Sequence, residues 1–568
     1  MATSGSLVTR NYTDFRGVDF TDEEVNITRS PDSLNMWKDY RKLGKCIETR
    51  PDTELFESFE QSVFGLFFYT VGNRNLIIVH SGTKLYKIEN GKRTELFTGM
   101  KPAPSQSFVY NNMLYIKDGI NYLKYDGVDI GQVVGYIPTT SIGRKPAGGG
   151  TVYEDVNMLS AWRKNTFLAD GTSVDYYLDA TDIDGEAPVV TVNGLELAYG
   201  TDYEFVPAEG KVTFAEAPSA PLTDGQDNVT IIYKRTVTGY ADRINKCTLL
   251  AVFDNRVFFG GNVDYPNTVW HCSLNEPSYC SDLDFYNEGL DSALVTGLVA
   301  GNNALWVMKE PSQANTTVFY HNPTIDAEYG KIYPSSHSSV STGCIGGAIN
   351  FNDDIVFFSE RGMEAINGDV TTEQVLAHRS SMVDSRLIAE ANYKDMVLAE
   401  WEGYLLVGIG NKIYLADSRS MLVNQNHNEY EWFYWEMSVE IVSMQVKDGV
   451  LYICSTDGIY TLTNNSEDRE VSSRWTTPLD EFNYPQYQKT TNKRGCVTDV
   501  KGQNITVSAR ANNGEFEEIA NHTDVKGYVV NRIKVKKWKA IQLKFSSTKP
   551  FELYSSTLEA YVGGYIKR

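Results

Sequence analysis

Residues 403–415 read GYLLVGIGNKIYL, and residues 449–462 read GVLYICSTDGIYTL. The two stretches align at an offset of 46 residues, with a glycine at the start and an Ile-Tyr pair near the end of each. Each consists of two short apolar runs joined by turn residues, which is typical of a β-hairpin. A lone hairpin is marginally stable in water, so several such units must pack against one another.

Looser copies of this hairpin fill much of the remaining chain. They occupy residues 75–88, 113–123, 256–270, 304–320 and 355–366. Consecutive copies are about 45–55 residues apart, which is the spacing of β-propeller blades. Runs that are apolar on both faces are buried on both faces when sheets stack around an axis. The sequence therefore predicts an all-β fold, a β-propeller of about seven blades, with a set of unrelated β-sandwiches as the alternative.

Three segments depart from the repeat. Residues 160–238 contain short strands and an Asn-Gly turn, which predicts a small inserted β-sandwich. Residues 469–568 alternate between apolar and polar positions, which predicts a C-terminal β-sandwich. Residues 1–60 are polar and non-periodic and are interpreted as a strap. The predicted domains are the strap 1–60, first blades 61–159, inserted acidic module 160–238, remaining blades 239–468 and C-terminal sandwich 469–568.

The 568-residue chain is acidic, with a net charge of −21. Residues 170–216 alone contain eleven acidic residues and one lysine, so nearly half of the excess lies in the inserted module. This balance argues against a general nucleic-acid binder, which needs clustered Lys and Arg. It would instead allow DNA to pass without adhering. No run of about 18 apolar residues occurs, so membrane insertion is not expected.

No motif predicts catalysis. The sequence lacks a G-x-S-x-G, an H-E-x-x-H and a Walker A loop, so we expect no enzyme activity, no cofactor and no metal. Two weak metal patterns have structural alternatives, an acidic turn and core packing. They are Asp179, Asp182 and Asp184, and His271, Cys272 and Cys280. Four carboxylates near strand ends could be catalytic residues of a propeller hydrolase, or they could be ordinary turn residues. They are Glu310, Glu360, Asp417 and Asp457.

Three further groups of residues carry predictions: a basic run, an aromatic cluster and the cysteines. The basic run Lys526, Arg532, Lys534, Lys536, Lys537, Lys539 and Lys544 could contact DNA or an acidic neighbouring subunit, or form the solvated face of two strands. An aromatic cluster is interpreted mainly as core and blade contacts and is also the candidate subunit interface. Its members are Tyr430, Trp432, Phe433, Tyr434, Trp435 and Trp37. The seven widely spaced cysteines, without a C-x-x-C, predict free thiols in a reducing cytosol.

Two regions resemble structural proteins of tailed bacteriophages. Residues 15–20 (FRGVDF), 30–39 (SPDSLNMWKD) and 44–51 (GKCIETRP) are similar to the opening strap of those proteins, which leads into a β-propeller. Asp52 stands where that pattern usually has glycine. The segment from 341 (STGCI) to 363 (DIVFFSERGM) is similar to a later part of the same proteins.

The family in question is the tail hub or nozzle protein of short-tailed phages. The resemblance implies a homo-oligomer, a hexameric ring in the virion tail that is assembled in the host cytoplasm. Its partners would be a portal or adaptor above and tail fibres or a tip below, and double-stranded DNA would pass without specific binding. It implies no catalytic residues. The alternative is a tail-tip or receptor-binding protein that recognises a host surface glycan.

Overall fold

The computed structural model describes residues 5–42, 46–313, 316–327, 330–367, 375–424, 427–464 and 470–565. The described chain is almost entirely strands, with two short α-helices and one 3-10 turn. None of its helices combines the length and the apolar character needed to cross a bilayer. The chain forms two compact units, one of Met1–Phe68, Val79–Gly82 and Ser339–Arg568, the other of Tyr69–Ile78 and Thr83–Ser338.

The strands of the N-terminal half follow in chain order. They are β1 (Leu7–Tyr12), β2 (Met36–Trp37), β3 (Ile47–Thr49), β4 (Asp52–Ser58), β5 (Val63–Val71), β6 (Arg74–Ser81), β7 (Lys84–Glu89), β8 (Lys92–Thr98), β9 (Gln106–Tyr110), β10 (Met113–Lys117), β11 (Tyr122–Tyr125), β12 (Ile130–Gln132), β13 (Thr139–Arg144), β14 (Thr151–Val152), β15 (Trp162–Phe167), β16 (Asp175–Tyr177), β17 (Val189–Val192), β18 (Leu195–Glu196), β19 (Tyr203–Val206), β20 (Lys211–Phe214), β21 (Val229–Lys234), β22 (Leu249–Phe253), β23 (Arg256–Gly260), β24 (Thr268–His271) and β25 (Phe285–Asn287). Helix α1 (Tyr240–Asn245) precedes β22.

The remaining elements complete the fold. They are β26 (Val295–Gly301), β27 (Ala304–Lys309), β28 (Val318–His321), β29 (Thr324–Asp326), β30 (Gly330–Ile332), β31 (Ser335–His337), β32 (Ala348–Phe351), β33 (Asp354–Ser359), β34 (Gly362–Asn367), β35 (Val375–His378), α2 (Asp384–Leu387), the 3-10 turn Tyr393–Asp395, β36 (Val397–Trp401), β37 (Tyr404–Ile409), β38 (Lys412–Asn424), β39 (His427–Glu436), β40 (Ser443–Lys447), β41 (Val450–Cys454), β42 (Gly458–Thr463), β43 (Ser473–Thr476), β44 (Tyr487–Ala511), β45 (Glu517–Asn531), β46 (Lys536–Trp538), β47 (Ile541–Ser547) and β48 (Phe551–Tyr565).

Seven four-stranded sheets in the described residues form the blades of a β-propeller, which confirms the predicted fold class. In most of them, strands adjacent in sequence are adjacent in the sheet. The sheets are β5–β8, β9–β12, β22–β25, β26-β27-β28-β31, β32–β35, β36–β39 and β4-β42-β41-β40. The first strands of consecutive blades contact each other where they share a unit, as β22 does with β26 and β36 with β40.

The turn between the first and second strand has the same conformation in six blades. Both central residues have positive φ, as at Asn302 (52°) and Asn303 (60°). Such turns match the right-handed twist of the flanking strands and favour Asn, Asp and Gly, which tolerate positive φ. The six pairs are Asn111-Asn112, Asp254-Asn255, Asn302-Asn303, Asn352-Asp353, Glu402-Gly403 and Asp448-Gly449. These pairs are the turn residues that separate the apolar runs of the repeat.

The apolar runs of the repeat form blade strands whose two faces are both buried, as in β37. Every residue of β37 is buried. Alternate side chains enter different cores, Tyr404 and Leu406 on one side and Leu405 and Val407 on the other. This arrangement accounts for the continuous apolar runs on which the propeller prediction rested.

The last blade is completed by a strand from the predicted strap. β4 pairs antiparallel with β42, from Asp52 opposite Thr463 to Ser58 opposite Gly458. A register shift between Leu55 and Glu57 marks an irregularity in β4. The outer strand of this blade thus comes from the N-terminal region and its other three strands from residues 443–463.

The predicted C-terminal sandwich is one nine-stranded sheet that also contains β1, β2 and β3 from the strap region. Its organising element is β44, a 25-residue strand that pairs with β45, β46, β47 and β48 along its length. The predicted boundary between residues 468 and 469 lies outside the described residues.

The inserted module has two sheets and its own core. One sheet has the order β14-β13-β15-β21-β17-β18 and the other β16-β20-β19. Phe167, Tyr176, Val212 and Ile231 are among the side chains buried between them. β13 and β14 precede residue 160, where the sequence placed the start of the module.

His378 makes stability depend on pH. Its Nε2 lies 2.6 Å from Asp384 Oδ2 and its Nδ1 3.3 Å from Glu364 Oε1. Burial alone would lower the pKa of His378, but the hydrogen bonds to these two carboxylates outweigh it and raise the pKa to about 10. The folded state therefore favours the protonated ring. Its contribution to stability is complete below a pH of about 6.5 and is lost as the pH rises through about 10.

We expect His378→Gln to lower the free energy of unfolding by about 1–2 kcal/mol at pH 6, with a difference from the parent that shrinks toward pH 10. Denaturant unfolding monitored by tryptophan fluorescence at several pH values in this range gives the free energy of unfolding of the parent and of the variant as a function of pH. His337→Gln, at an exposed histidine, is the control and should leave the pH profile unchanged. A His378→Gln difference that stays constant from pH 6 to pH 10 contradicts the prediction.

Candidate functional site

The aromatic residues predicted as a subunit interface belong to the core. Tyr430, Trp432 and Tyr434 face one blade core, whereas Phe433, Trp435 and Trp37 face another. All six are at most 5% exposed. The interface prediction is corrected accordingly. Because the chain itself covers residues 430–435 of β39 on both faces, these side chains present no surface to a second subunit.

The strap that carries the phage resemblance is fixed by polar contacts. The Asp32 carboxylate accepts two hydrogen bonds from the Arg474 guanidinium, at 2.9 and 2.8 Å. Arg50 is buried and donates to Asn35 Oδ1 at 2.9 Å and to the Glu436 carbonyl at 2.8 Å. The Ser-Pro-Asp and Arg-Pro motifs thus contain residues that hold the strap in place. Gly44 and Lys45 of the same pattern lie outside the described residues.

The acidic residues of the inserted module are at its surface. Of the eleven between residues 170 and 216, none is buried and eight are exposed. The exposed ones are Asp170, Asp179, Asp182, Glu186, Glu196, Glu204, Glu209 and Glu216. Among the described residues, two ion pairs engage them, Lys211 with Glu209 and Lys234 with Glu186. The module therefore presents a largely uncompensated negative surface.

The two weak metal patterns have structural partners instead. Asp179 accepts a hydrogen bond from the Tyr233 hydroxyl, and Asp184 accepts two from Thr236, at 2.7 and 3.0 Å. The Cys272 sulfur accepts from the Val257 amide at 3.0 Å. In the portion of the chain that the structure describes, no three His, Cys, Asp or Glu side chains are placed to share a metal ion. All seven cysteines are free thiols.

The four candidate hydrolase carboxylates sit in four different blades. Asp417 is buried and accepts from Tyr40 and Arg419. Asp457 accepts from the Tyr460 hydroxyl at 3.0 Å, and Glu310 from the Leu294 amide at 3.0 Å. Glu360 is exposed.

The basic run lies on solvent-exposed positions of the C-terminal sheet and its loops. Lys526, Arg532, Lys534, Lys536, Lys537 and Lys539 are exposed, and Lys544 is half-buried. Buried Ile533 and Trp538 alternate with them and fill the core below. Lys539 forms an ion pair with Glu481 at 2.8 Å.

An open cleft of about 940 Å³ lies beside β24 and β25, within the range of small-ligand sites. Tyrosine rings form much of its wall. Tyr136 and Tyr279 pack with ring centroids 5.3 Å apart. Tyr286 stacks on His271 at 5.7 Å, and Tyr333 meets the same histidine edge-on. We call these residues, with the carboxylates described next, the aromatic–acidic cleft.

Four carboxylates line the cleft: Glu154, Asp155, Glu276 and Asp284. None of them forms an ion pair with a lysine or arginine of the described chain. Burial, followed by the negative charge of Asp284, raises the pKa of Asp155. Burial also raises the pKa of Asp284, against the opposing charge of Arg256. The cleft thus concentrates carboxylates whose ionised form burial disfavours and no described lysine or arginine ion pair stabilises.

The two cations in the wall each use part of their donors on other groups. Arg256 donates to the Cys272 carbonyl at 3.0 Å and to the Tyr333 hydroxyl at 3.3 Å. Lys331 pairs with Asp254 at 2.5 Å. The side chain of His271 is only 6% exposed, and burial lowers its pKa to about 4, so the ring is neutral. Its Nδ1 lies 3.0 Å from the Cys272 carbonyl, which leaves Nε2 as an acceptor without a described partner.

Sequence reasoning missed this cleft. Its walls come from the segment Tyr136 to Asp155, which contains the first two strands of the module, the loop between β24 and β25 (Ser273 to Asp284) and the hairpin end near Tyr333. No local spacing links these segments. The one usable signal was the aromatic and acidic composition of residues 276–286 (EPSYCSDLDFY).

Comparisons with known proteins leave the function open. No protein-family model matches the chain. No curated protein matches it either. Among solved structures, BamB from Moraxella catarrhalis matches at a TM-score of 0.34 and 10% identity, covering 81% of this chain and 99% of that one. BBS1N in complex with ARL6DN matches at 0.26 and 9%, covering 74% and 97%. An exo-β-1,3-galactanase from Phanerochaete chrysosporium matches at 0.22 and 10%, covering 54% and 94%.

Proposed function

We propose that this chain is a structural, non-catalytic protein of a bacteriophage tail. It assembles as a closed hexameric ring that joins a portal or adaptor to the distal tail. The ring conducts the genome during ejection and retains it before infection. The protein would thus reside in the virion, with tail fibres or a tip protein as distal partners.

The observation that carries the proposal is the negative surface of the inserted module. Eight exposed carboxylates within residues 170–216 would repel a DNA polyanion, which suits a conduit and opposes a DNA-binding role. The resemblance of the strap to phage tail proteins supports the same function. Within the strap, Asp32 and Arg50 make contacts that fix its path, as expected of motifs with a structural purpose.

The purified full-length protein is expected to form particles of six times its 63.7 kDa mass with a central pore. Mass photometry gives the stoichiometry and negative-stain electron microscopy gives the pore, since a repeated head-to-tail contact whose rotation closes produces a ring. Duplex DNA should not be retained by the particles at physiological salt. A monomer that binds duplex DNA tightly under these conditions would refute the proposal.

A charge variant tests the role of the module. Replacing Glu196, Glu204 and Glu216 by glutamine should increase DNA retention by the ring at low salt, because three repulsive charges per subunit are removed. The matched control replaces three exposed glutamates of the C-terminal sheet region, Glu515, Glu517 and Glu518. If both triple variants raise retention equally, the module has no special part in keeping DNA from adhering.

A further inference from the structure

The aromatic–acidic cleft offers hydrogen-bond acceptors without matching donors. The carboxylates of Asp155 and Asp284 and the Nε2 atom of His271 can only accept while the acids are ionised and the ring is neutral. The Asp284 carboxylate receives no hydrogen bond from the described chain, and its Oδ2 lies 3.9 Å from His271 Nδ1. The Asp155 carboxylate receives one, from the Ser281 hydroxyl at 3.3 Å. A complementary ligand must therefore bring several donors.

The tyrosine rings restrict the ligand further. Tyr136, Tyr279, Tyr286 and Tyr333 present flat faces and edges beside the carboxylates. A guanidinium group stacks on aromatic rings, carries five N–H donors in one plane and has no acceptor. Each sugar hydroxyl donates only one hydrogen bond and carries no charge, so it supplies less to these carboxylates than a guanidinium does. The carboxylates and the rings together favour a planar cation.

The rim of the cleft indicates that this cation is attached to a polypeptide. Leu274 and Leu283 line the opening and are 53% and 67% exposed. A small free cation would leave these side chains in water, whereas a peptide on either side of an arginine would cover them.

We infer that the aromatic–acidic cleft binds an arginine side chain on a segment of a partner protein, with the guanidinium between the tyrosine rings and bonded to Asp284 and Asp155. This goes beyond the proposed ring and does not depend on it. The site would recognise arginine in preference to lysine, because a compact ammonium lacks the planar fork of donors.

The inference is tested by titrating the protein with the peptide Ac-Gly-Arg-Gly-NH2 and measuring binding by calorimetry and ligand-observed NMR. We expect saturable binding that weakens about tenfold or more when citrulline replaces arginine, since the charge-assisted bonds are lost. The lysine peptide should bind more weakly than the arginine peptide. Ethylguanidinium should bind more weakly than the peptide, because it leaves the leucine rim uncovered.

Two isosteric variants locate the binding. Asp284→Asn and Asp155→Asn should each weaken the arginine peptide about tenfold, whereas Asp264→Asn, at an exposed surface pair with Lys246, should not. Glu276→Gln serves as a further cleft variant if an aspartate variant loses its thermal unfolding transition. Equal binding of the arginine and citrulline peptides overturns the inference, as does unchanged affinity in the cleft variants. Preferential binding of maltotriose overturns it in favour of a saccharide, and equal affinity for ethylguanidinium overturns the assignment to a polypeptide.

Discussion

Replacing Trp37 by alanine is expected to lower the free energy of unfolding by about 3–5 kcal/mol, the cost of removing a large buried aromatic side chain. Trp37 is 1% exposed. It stacks on Trp401 with ring centroids 5.3 Å apart and meets Trp435 edge-on at 5.6 Å. It belongs to β2 in the strap, so the substitution should also loosen the contact between the strap and the β36–β39 blade. Denaturant unfolding monitored by tryptophan fluorescence measures the loss.

This variant also separates the two interpretations of the aromatic cluster. Core packing predicts a loss of stability that is independent of protein concentration, because no second subunit takes part. An intersubunit role predicts a midpoint that shifts with concentration while the isolated chain keeps its stability. Tyr528→Ala, which removes an aromatic ring that is 77% exposed, is the control and should change stability by less than about 0.5 kcal/mol.

Glu288→Ala should cost a similar amount, about 3–5 kcal/mol, because it removes one member of a buried polar network. Glu288 and His321 are both fully buried, with Glu288 Oε1 2.8 Å from His321 Nε2. Glu288 Oε2 also accepts from the Ser335 hydroxyl at 2.6 Å. The network joins the end of β25 in one blade to β28 and β31 in the next, so its loss should separate neighbouring blades.

Glu288→Gln, which retains an acceptor oxygen, should lose less stability than Glu288→Ala, because it leaves fewer buried groups unpaired. Asp264→Ala breaks an exposed ion pair with Lys246 and should cost at most about 1 kcal/mol. Urea unfolding of the three variants side by side gives the ranking. If Glu288→Ala unfolds at the same urea concentration as the parent, the buried network makes no net contribution to stability.

Local sequence patterns were sufficient to predict the blades. A blade is built from neighbouring hairpins, and its demands on sequence are local, namely apolar strands such as β37 and turn pairs such as Asn302-Asn303. The pairing of β4 with β42 was beyond such reasoning. Every residue of β4 is either half-buried or exposed, and Leu55 and Phe56 are among the exposed ones. Nothing in the sequence of β4 therefore identifies a partner strand so far along the chain.

The candidate sites were predicted less well for a related reason. The sequence of residues 430–435 favoured core packing but also allowed an interface, because large aromatic side chains are enriched in both. Only the tertiary structure shows that these residues are covered on both faces of β39. The cleft carboxylates Asp155 and Asp284 are brought together by the folding of distant loops, and a carboxylate in a turn has no signature that distinguishes it from other turn acids.

The pairing of β4 with β42 has a consequence for how the protein is made. β4 leaves the ribosome early, yet residues 458–463 are synthesised roughly 400 residues later, on the order of 20–80 s at typical bacterial elongation rates. During that interval its backbone donors and acceptors, and the side chains of Leu55 and Phe56, have no native neighbour. An unpaired strand edge of this kind readily joins other nascent chains. Yield during overexpression should therefore respond to translation speed and chaperone supply more than to the thermodynamic stability of the finished fold.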